Sequence, residues 1–277
     1  MKTPIFICTL IIIIFFNTNH VFGQRESHLK KVKKKEFSAI LDSTNVTGSI
    51  LILDYYSRAY YSNDFKHCKQ GYLPASTFKI VNSIIGLETG VIENENTIFK
   101  WDEKPRSYEI WNQDLNFHDA FHYSCVPCYQ EVARDIGSKS MNEYLTKLDY
   151  GKMKVDSTNI DIFWLEGDSR ITQFEQIDFI KRFYNDKIGI AKSTTQKMKD
   201  LMIIDKTPEY TLSGKTGWVV KDGNDTGWFV GYIEKDNNIY FIATNIQPEE
   251  SCNMDIFPRI RIEITLNAFK TLGIIEN

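Results

Sequence analysis

Leu73-Pro74-Ala75-Ser76-Thr77-Phe78-Lys79-Ile80-Val81-Asn82-Ser83-Ile84-Ile85-Gly86-Leu87-Glu88-Thr89-Gly90 is the stretch on which the reading of the fold turns. Pro74 suits an early helix position, Phe78, Val81, Ile84, Ile85 and Leu87 recur at three-to-four spacing, and Gly90 suits a C-cap. The pattern predicts one helix over this stretch. Upstream, the strand-like runs Gly48 to Leu53 and Ala59 to Ser62 are joined through Asp54-Tyr55-Tyr56-Ser57-Arg58, a connection of hairpin length. Downstream, helical periodicity returns at about 126–136, 139–148, 173–184 and 193–203. After Tyr210 alternating and β-branched stretches predict strands at 211–220, 227–234 and 239–246. They are separated by Lys221-Asp222-Gly223-Asn224-Asp225 and Lys235-Asp236-Asn237-Asn238. A last amphipathic helix at about 259–272, stopped by Gly273, suits a cover for that meander. The expected class is α+β: an antiparallel sheet flanked by terminal helices, with an inserted all-helical domain. Residues 37–70 and 206–277 would form the sheet-and-helix domain and 71–205 the helical one, with a cleft where the two meet.

With 42% apolar and 25% charged residues over 277 positions, the chain has globular composition, which excludes collagen-like, low-complexity and disulfide-scaffold classes. No repeat of solenoid or propeller length is present. A net charge of -3 offers no field suited to a phosphate backbone, so no nucleic-acid partner is expected. Lys30, Lys31, Lys33, Lys34 and Lys35 lie in a segment poor in apolar residues, and residues 24–36 read as a solvated basic linker. At the N-terminus the apolar run from Ile5 to Phe16 is followed by Val21-Phe22-Gly23, the pattern of a secretory leader, residues 1–23, cleaved before Gln24. That run is too short for a stable membrane span, which needs about 20 residues. The mature chain is expected to be exported.

Ser76 and Lys79 stand three apart on one helix face and can touch. A serine becomes nucleophilic when a base takes its proton, and a lysine is a base only when neutral. At its ordinary pKa of about 10.4, roughly one lysine in 2,500 is neutral at pH 7. Phe78, Ile80 and Val81 around Lys79 are expected to depress that value by desolvation. The Ser-x-x-Lys spacing alone is weak, since Ser27 and Lys30 repeat it. Gly214-Lys215-Thr216 imitates the end of a phosphate-binding loop, but position 209 is Glu and a strand follows, so phosphate binding is rejected. His118-Asp119-Ala120-Phe121-His122 has zincin spacing without the Glu base or a third ligand; no metal is expected, and these histidines read as surface or structural. Cys125 and Cys128 lack a second pair for a zinc site and a thioredoxin-like context.

Ser76-Thr77-Phe78-Lys79, then Ser124-Cys125-Val126, then Lys215-Thr216-Gly217, resemble in their order the motifs of serine β-lactamases and penicillin-binding proteins. Leu73-Pro74-Ala75 before the serine, Gly86-Leu87-Glu88-Thr89-Gly90, Phe99-Lys100-Trp101-Asp102, Val126-Pro127 and Phe163-Trp164-Leu165-Glu166-Gly167 bring the resemblance to the class D, oxacillinase-type, β-lactamases. It covers about residues 40–275.

The resemblance implies hydrolysis of a small-molecule β-lactam through an ester on Ser76, in the periplasm, with no metal and no cofactor beyond carbon dioxide. It implies that Lys79 is N-carboxylated and serves as the base for Ser76 and for the deacylating water. Val126 would keep the pocket dry, Trp164 would hydrogen-bond the carbamate, and Leu165 would shape water access. Ser124, with Lys215 nearby, would relay a proton to the leaving nitrogen. Backbone N–H groups of Ser76 and Trp218 would form the oxyanion hole. Thr216, Gly217 and Trp218 would line the substrate, and Arg261, with Arg259 as the near rival, would meet its carboxylate. Lys152 stands where the family has Asn and would add charge near the cleft. Cys125 and Cys128 are expected as free thiols, because a bridge would strain a helix start. Two alternatives share the acylated serine: a β-lactam sensor that does not turn over, and a cell-wall transpeptidase or carboxypeptidase. The pattern defines no oligomeric state.

Overall fold

The computed structural model describes residues 29–221 and 223–276; the expected leader and its cleavage site lie outside them. The strands are β1 (Lys30–Lys33), β2 (Val46–Asp54), β3 (Ala59–Ser62), β4 (Ile98–Phe99), β5 (Leu115–Asn116), β6 (Ile203–Lys206), β7 (Thr211–Lys221), β8 (Asn224–Lys235) and β9 (Asn238–Pro248). The helices are α1 (Glu36–Asp42), α2 (Lys79–Thr89), α3 (Phe117–His122), α4 (Val126–Leu148), α5 (Gln173–Tyr184), α6 (Lys192–Leu201) and α7 (Phe257–Thr271).

Seven strands form one sheet in the order β1-β3-β2-β9-β8-β7-β6. Its pairs are antiparallel except β1 with β3. The β2 run Ile50-Leu51-Ile52-Leu53 explains the layering. Ile50 and Ile52 join a core with Phe37, Ile260 and Ile264 of α1 and α7, while Leu51 and Leu53 join the core of the helical body. Both faces are buried, and period-two alternation divides them between the layers. At about 1.5 to 3 kcal/mol per buried large apolar side chain, such a central strand anchors both halves. The chain from α2 to α6 leaves the sheet after β3 and returns to it at β6.

Most predicted elements are present with shifted ends. The segments expected at 126–136 and 139–148 are two helical stretches that meet within α4 at Gly137, whose φ of 74° lies outside the helical region. The β8–β9 turn places Asp236 and Asn237 at φ 50° and 60°, the paired positive values a tight hairpin requires. Three expectations need correction. Lys30–Lys33, read as linker, pairs with β3, its lysine side chains still exposed; a charged row of this kind discourages further pairing at a sheet edge. Helix α1, with Phe37 and Leu41 buried, spans seven residues, too short a stretch to show a helical period. The insertion is not all-helical, since β4 and β5 form a small ribbon within it.

Candidate active site

Ser76 lies on a short 3₁₀ turn, Ala75–Phe78, that leads into α2. The α-helix therefore starts five residues after Pro74, at Lys79, yet a 3₁₀ turn also aligns positions three apart. Ala75 is held at φ 51°, strained for a residue with a Cβ. The turn is clamped from two sides: Ala75 donates its N–H to Trp164 O at 2.9 Å, and the Trp228 indole donates to Leu73 O at 2.9 Å.

Lys79, the first residue of α2, is 0% exposed, and its Nζ donates to Ser76 Oγ at 3.0 Å. The Tyr129 ring lies 5.1 Å from that nitrogen and is fixed by a Ser83–Tyr129 hydroxyl bond of 2.7 Å. With no carboxylate paired to it among the salt bridges of the described residues, burial lowers the ammonium to about 7. A substantial share of the neutral amine is then present at neutrality. Trp164 stacks on Phe78 at 5.5 Å, and its indole Nε1 is buried with no hydrogen-bond partner.

The strand β7 carries the next group. Lys215 Nζ donates to Ser124 Oγ at 2.5 Å and to Thr216 O at 3.2 Å. Burial, then the neighbouring charges of Lys79 and Arg261, hold Lys215 well below the ordinary lysine range. Ser124 adopts φ 54°. Gly217 lets β7 approach the nucleophile turn: a Cβ there would sit 3.1 to 3.2 Å from Thr77 Cγ2, Ala75 Cβ and Pro74 O. Gly214 donates its N–H to Met202 O, on the β6 side of β7. By strand alternation the N–H groups of Thr216 and Trp218 face that same edge, beyond the end of β6.

On α7, Arg261 is buried, donates from Nη1 to Gly217 O at 2.5 Å, and is lowered by burial to about 10, so it stays cationic at neutrality. Its stem crosses β8 at Gly227, where a Cβ would meet Arg261 Cδ at 3.0 Å. Arg259 is 70% exposed and paired with Glu263, so of the two arginines Arg261 is the buried one.

Ser76, Ser124, Val126, Thr216, Gly217, Trp218 and Arg261 line one cleft of about 440 Å³. Lys79, Trp164 and Lys215 are buried beside it, and half-buried Leu165 packs against the core. Tyr108, Trp111 and Tyr123 also line it and were not anticipated, because single aromatics in loops carry no periodic signal. His122, read as surface or structural, is on the cleft wall, where burial, then His118 and Lys215, lower its pKa. Lys152 is not among the lining residues; its backbone pairs with Arg170.

The cysteines overturn the expectation of free thiols. Cys125 and Cys128 form a disulfide with Cα atoms 5.5 Å apart. Cys125 is the N-cap of α4, outside the helical residues, so the bridge closes without distorting the helix. Cys68 and Cys252 are free and buried.

A hydroxyl, two buried lysines and a buried arginine around one cleft, on this sheet-and-helix frame, define a serine acyl-transfer protein of the penicillin-binding type. The family model for the penicillin binding protein transpeptidase domain matches residues 41–257. Within that class, the chain belongs to the class D β-lactamases. It is 39% identical over 233 residues to beta-lactamase OXA-10 of Pseudomonas aeruginosa, covering 83% of this chain and 86% of that one. The solved class D beta-lactamase of Sebaldella termitidis matches with a TM-score of 0.84 and 38% identity, over 89% of this chain and 99% of that chain. The regulatory protein BlaR1 of Bacillus licheniformis is 30% identical over 220 residues, 79% of this chain and 36% of that protein. The chain is thus a serine β-lactamase that hydrolyses the amide of penicillin-type antibiotics.

Proposed function

We propose that Ser76 attacks the β-lactam carbonyl and that Lys79 supplies the base for both halves of the reaction. The observation that carries this is Lys79 itself, wholly buried, near neutrality and 3.0 Å from Ser76 Oγ. The unpartnered Trp164 Nε1 fits a carbamate on Lys79, because a buried donor is costly without an acceptor. Carboxylation of the amine would supply an anionic base there, with Trp164 holding it and Val126 keeping water out. Half-buried Leu165, next in the chain to Trp164, governs how much water reaches the ester. Ser124, bonded to Lys215, hands a proton to the departing ring nitrogen. The N–H groups of Ser76 and Trp218 receive the developing oxyanion. Thr216 and Arg261 hold the carboxylate of the substrate.

Only the neutral amine takes up carbon dioxide, and burial lowers the pKa, so the reactive form dominates above about pH 7 and is lost below it. Without added bicarbonate, activity should therefore fall roughly tenfold per pH unit on the acid side. Carbon-13 bicarbonate should give a carbamate signal that follows the same titration; a rate independent of bicarbonate, with no such signal, would refute the assigned base.

Arg261→Ala is expected to raise KM by roughly 30-fold or more, since truncating one partner of a buried charge pair costs about 2 to 5 kcal/mol. Steady-state kinetics with a penicillin test this, and an unchanged KM returns the role to Arg259.

Export to the periplasm is supported by the apolar run Ile5 to Phe16 and by the disulfide, which persists in oxidising compartments. Among the described residues no helix is long and apolar enough to cross a membrane. The periplasmic protein should begin at Gln24 on N-terminal sequencing, and an intact Met1 would contradict the leader.

A further inference from the structure

The segment Ser124–Cys128 separates two cavities. Ser124 and Val126 line the substrate cleft, whereas Cys125, Pro127 and Cys128 line a second cavity of about 320 Å³, walled in part by Lys100, Arg106 and Arg134. Trp111 borders both. A covalent bond in the rear cavity is therefore anchored on Cys125, the residue between the two cleft-lining positions.

Ser124 is in the left-handed region, which a residue with a Cβ leaves unless its surroundings prevent it. Ser124 donates its N–H to Phe121 O at 3.1 Å, Cys125 to Ala120 O at 2.9 Å, and the Trp111 indole to Tyr123 O at 2.9 Å. Lys215 also donates to the Ser124 hydroxyl, and Tyr129 donates its N–H to Cys125 O at 3.3 Å; the covalent restraint is the bridge, which ties Cys125 to the first turn of α4.

We infer that the Cys125–Cys128 disulfide is a positioning element for Ser124, and that a small thiol entering the rear cavity reversibly slows the enzyme by reducing it. Cys128 is 8% exposed and Cys125 1%, so attack falls on Cys128 Sγ. The incoming thiolate forms a mixed disulfide there and expels Cys125 as thiolate. That sulfur already accepts the Cys128 N–H at 3.2 Å, at a helix start that favours negative charge. A second thiol of the reductant resolves the mixed disulfide. The reductant leaves oxidised as its own disulfide, and the protein keeps both electrons and two protons as two thiols. Reduction frees Ser124 to relax and loosens its bond to Lys215. The inference rests on the role of Ser124 proposed above.

The test starts from the oxidised protein. Dithiothreitol treatment should raise the thiol count under denaturing conditions by two; after anaerobic desalting, kcat for a chromogenic cephalosporin should be about tenfold lower, KM little changed, and reoxidation should restore it. Added bicarbonate should not rescue the loss. Cys128→Val should match the reduced enzyme and ignore dithiothreitol. Equal kcat in the two redox states, or Cys128→Val at the oxidised level, overturns the inference. So does loss of the folded circular dichroism signal on reduction, since the bridge would then staple the fold. Ser124→Ala separates the two readings: if it loses no activity the relay itself fails, and if it is impaired while the redox states are equal only the disulfide inference fails.

Discussion

Lys79→Ala is expected to lower kcat/KM for a penicillin by at least about 10³-fold, because one group serves as base in acylation and again in deacylation, and each general-base contribution is typically about 10² to 10⁴. The loss should be uneven. Ser76 still sits in the strained turn behind Ala75 and still faces the open edge of β7, so slow attack continues. Water near the ester has no activating group left. A mass spectrum taken over time should show the ester form slowly and then persist, whereas the parent protein shows it transiently. A variant that turns over at the parent rate would remove Lys79 from the mechanism. The same spectrum on the parent separates a hydrolase from a sensor, since stoichiometric acylation without release is the sensor's behaviour.

Trp164→Phe should weaken carbon dioxide uptake about 10- to 150-fold, the equivalent of one hydrogen bond to a charged group at about 1.5 to 3 kcal/mol. Phenylalanine keeps the stacking on Phe78 and deletes a buried N–H that has no partner among the described residues. The apparent bicarbonate constant should rise by that factor, while saturating bicarbonate recovers most of kcat. A merely structural role for Trp164 would lower stability and leave the bicarbonate constant where it was. Rescue by bicarbonate is thus the deciding measurement, and its absence with normal folding would detach Trp164 from Lys79.

Ser76, Lys79 and Lys215 were legible as a set because short motifs in a fixed order survive without any knowledge of contacts. Arg261 and Arg259 were not separable by sequence. Two positions apart on one helix, they differ by about 200° around its axis, and only packing of α7 on β8 decides which one is buried. His122 and the aromatics Tyr108, Trp111 and Tyr123 escaped for a related reason: each reaches the cleft through loop or helix placement that no local pattern encodes. The disulfide was misjudged because a bridge at a helix start was expected to strain it, and that Cys125 caps α4 from outside its helical residues became visible only with the backbone.

Local periodicity by itself determined the strands β2 and β3, the meander from β7 to β9, the helices α2 and α4 to α7, and the serine and lysine three apart. Those are short-range properties, set by which face of each element must leave water. Tertiary structure decided that burial lowers the Lys79 ammonium, that the Trp164 N–H has no partner among the described residues, that Arg261 is the inward arginine, and that β1 closes the sheet's lysine-rich edge. Each depends on burial or pairing by residues far away in the chain, where desolvation and contact arise only after the sheet and the helical body have come together.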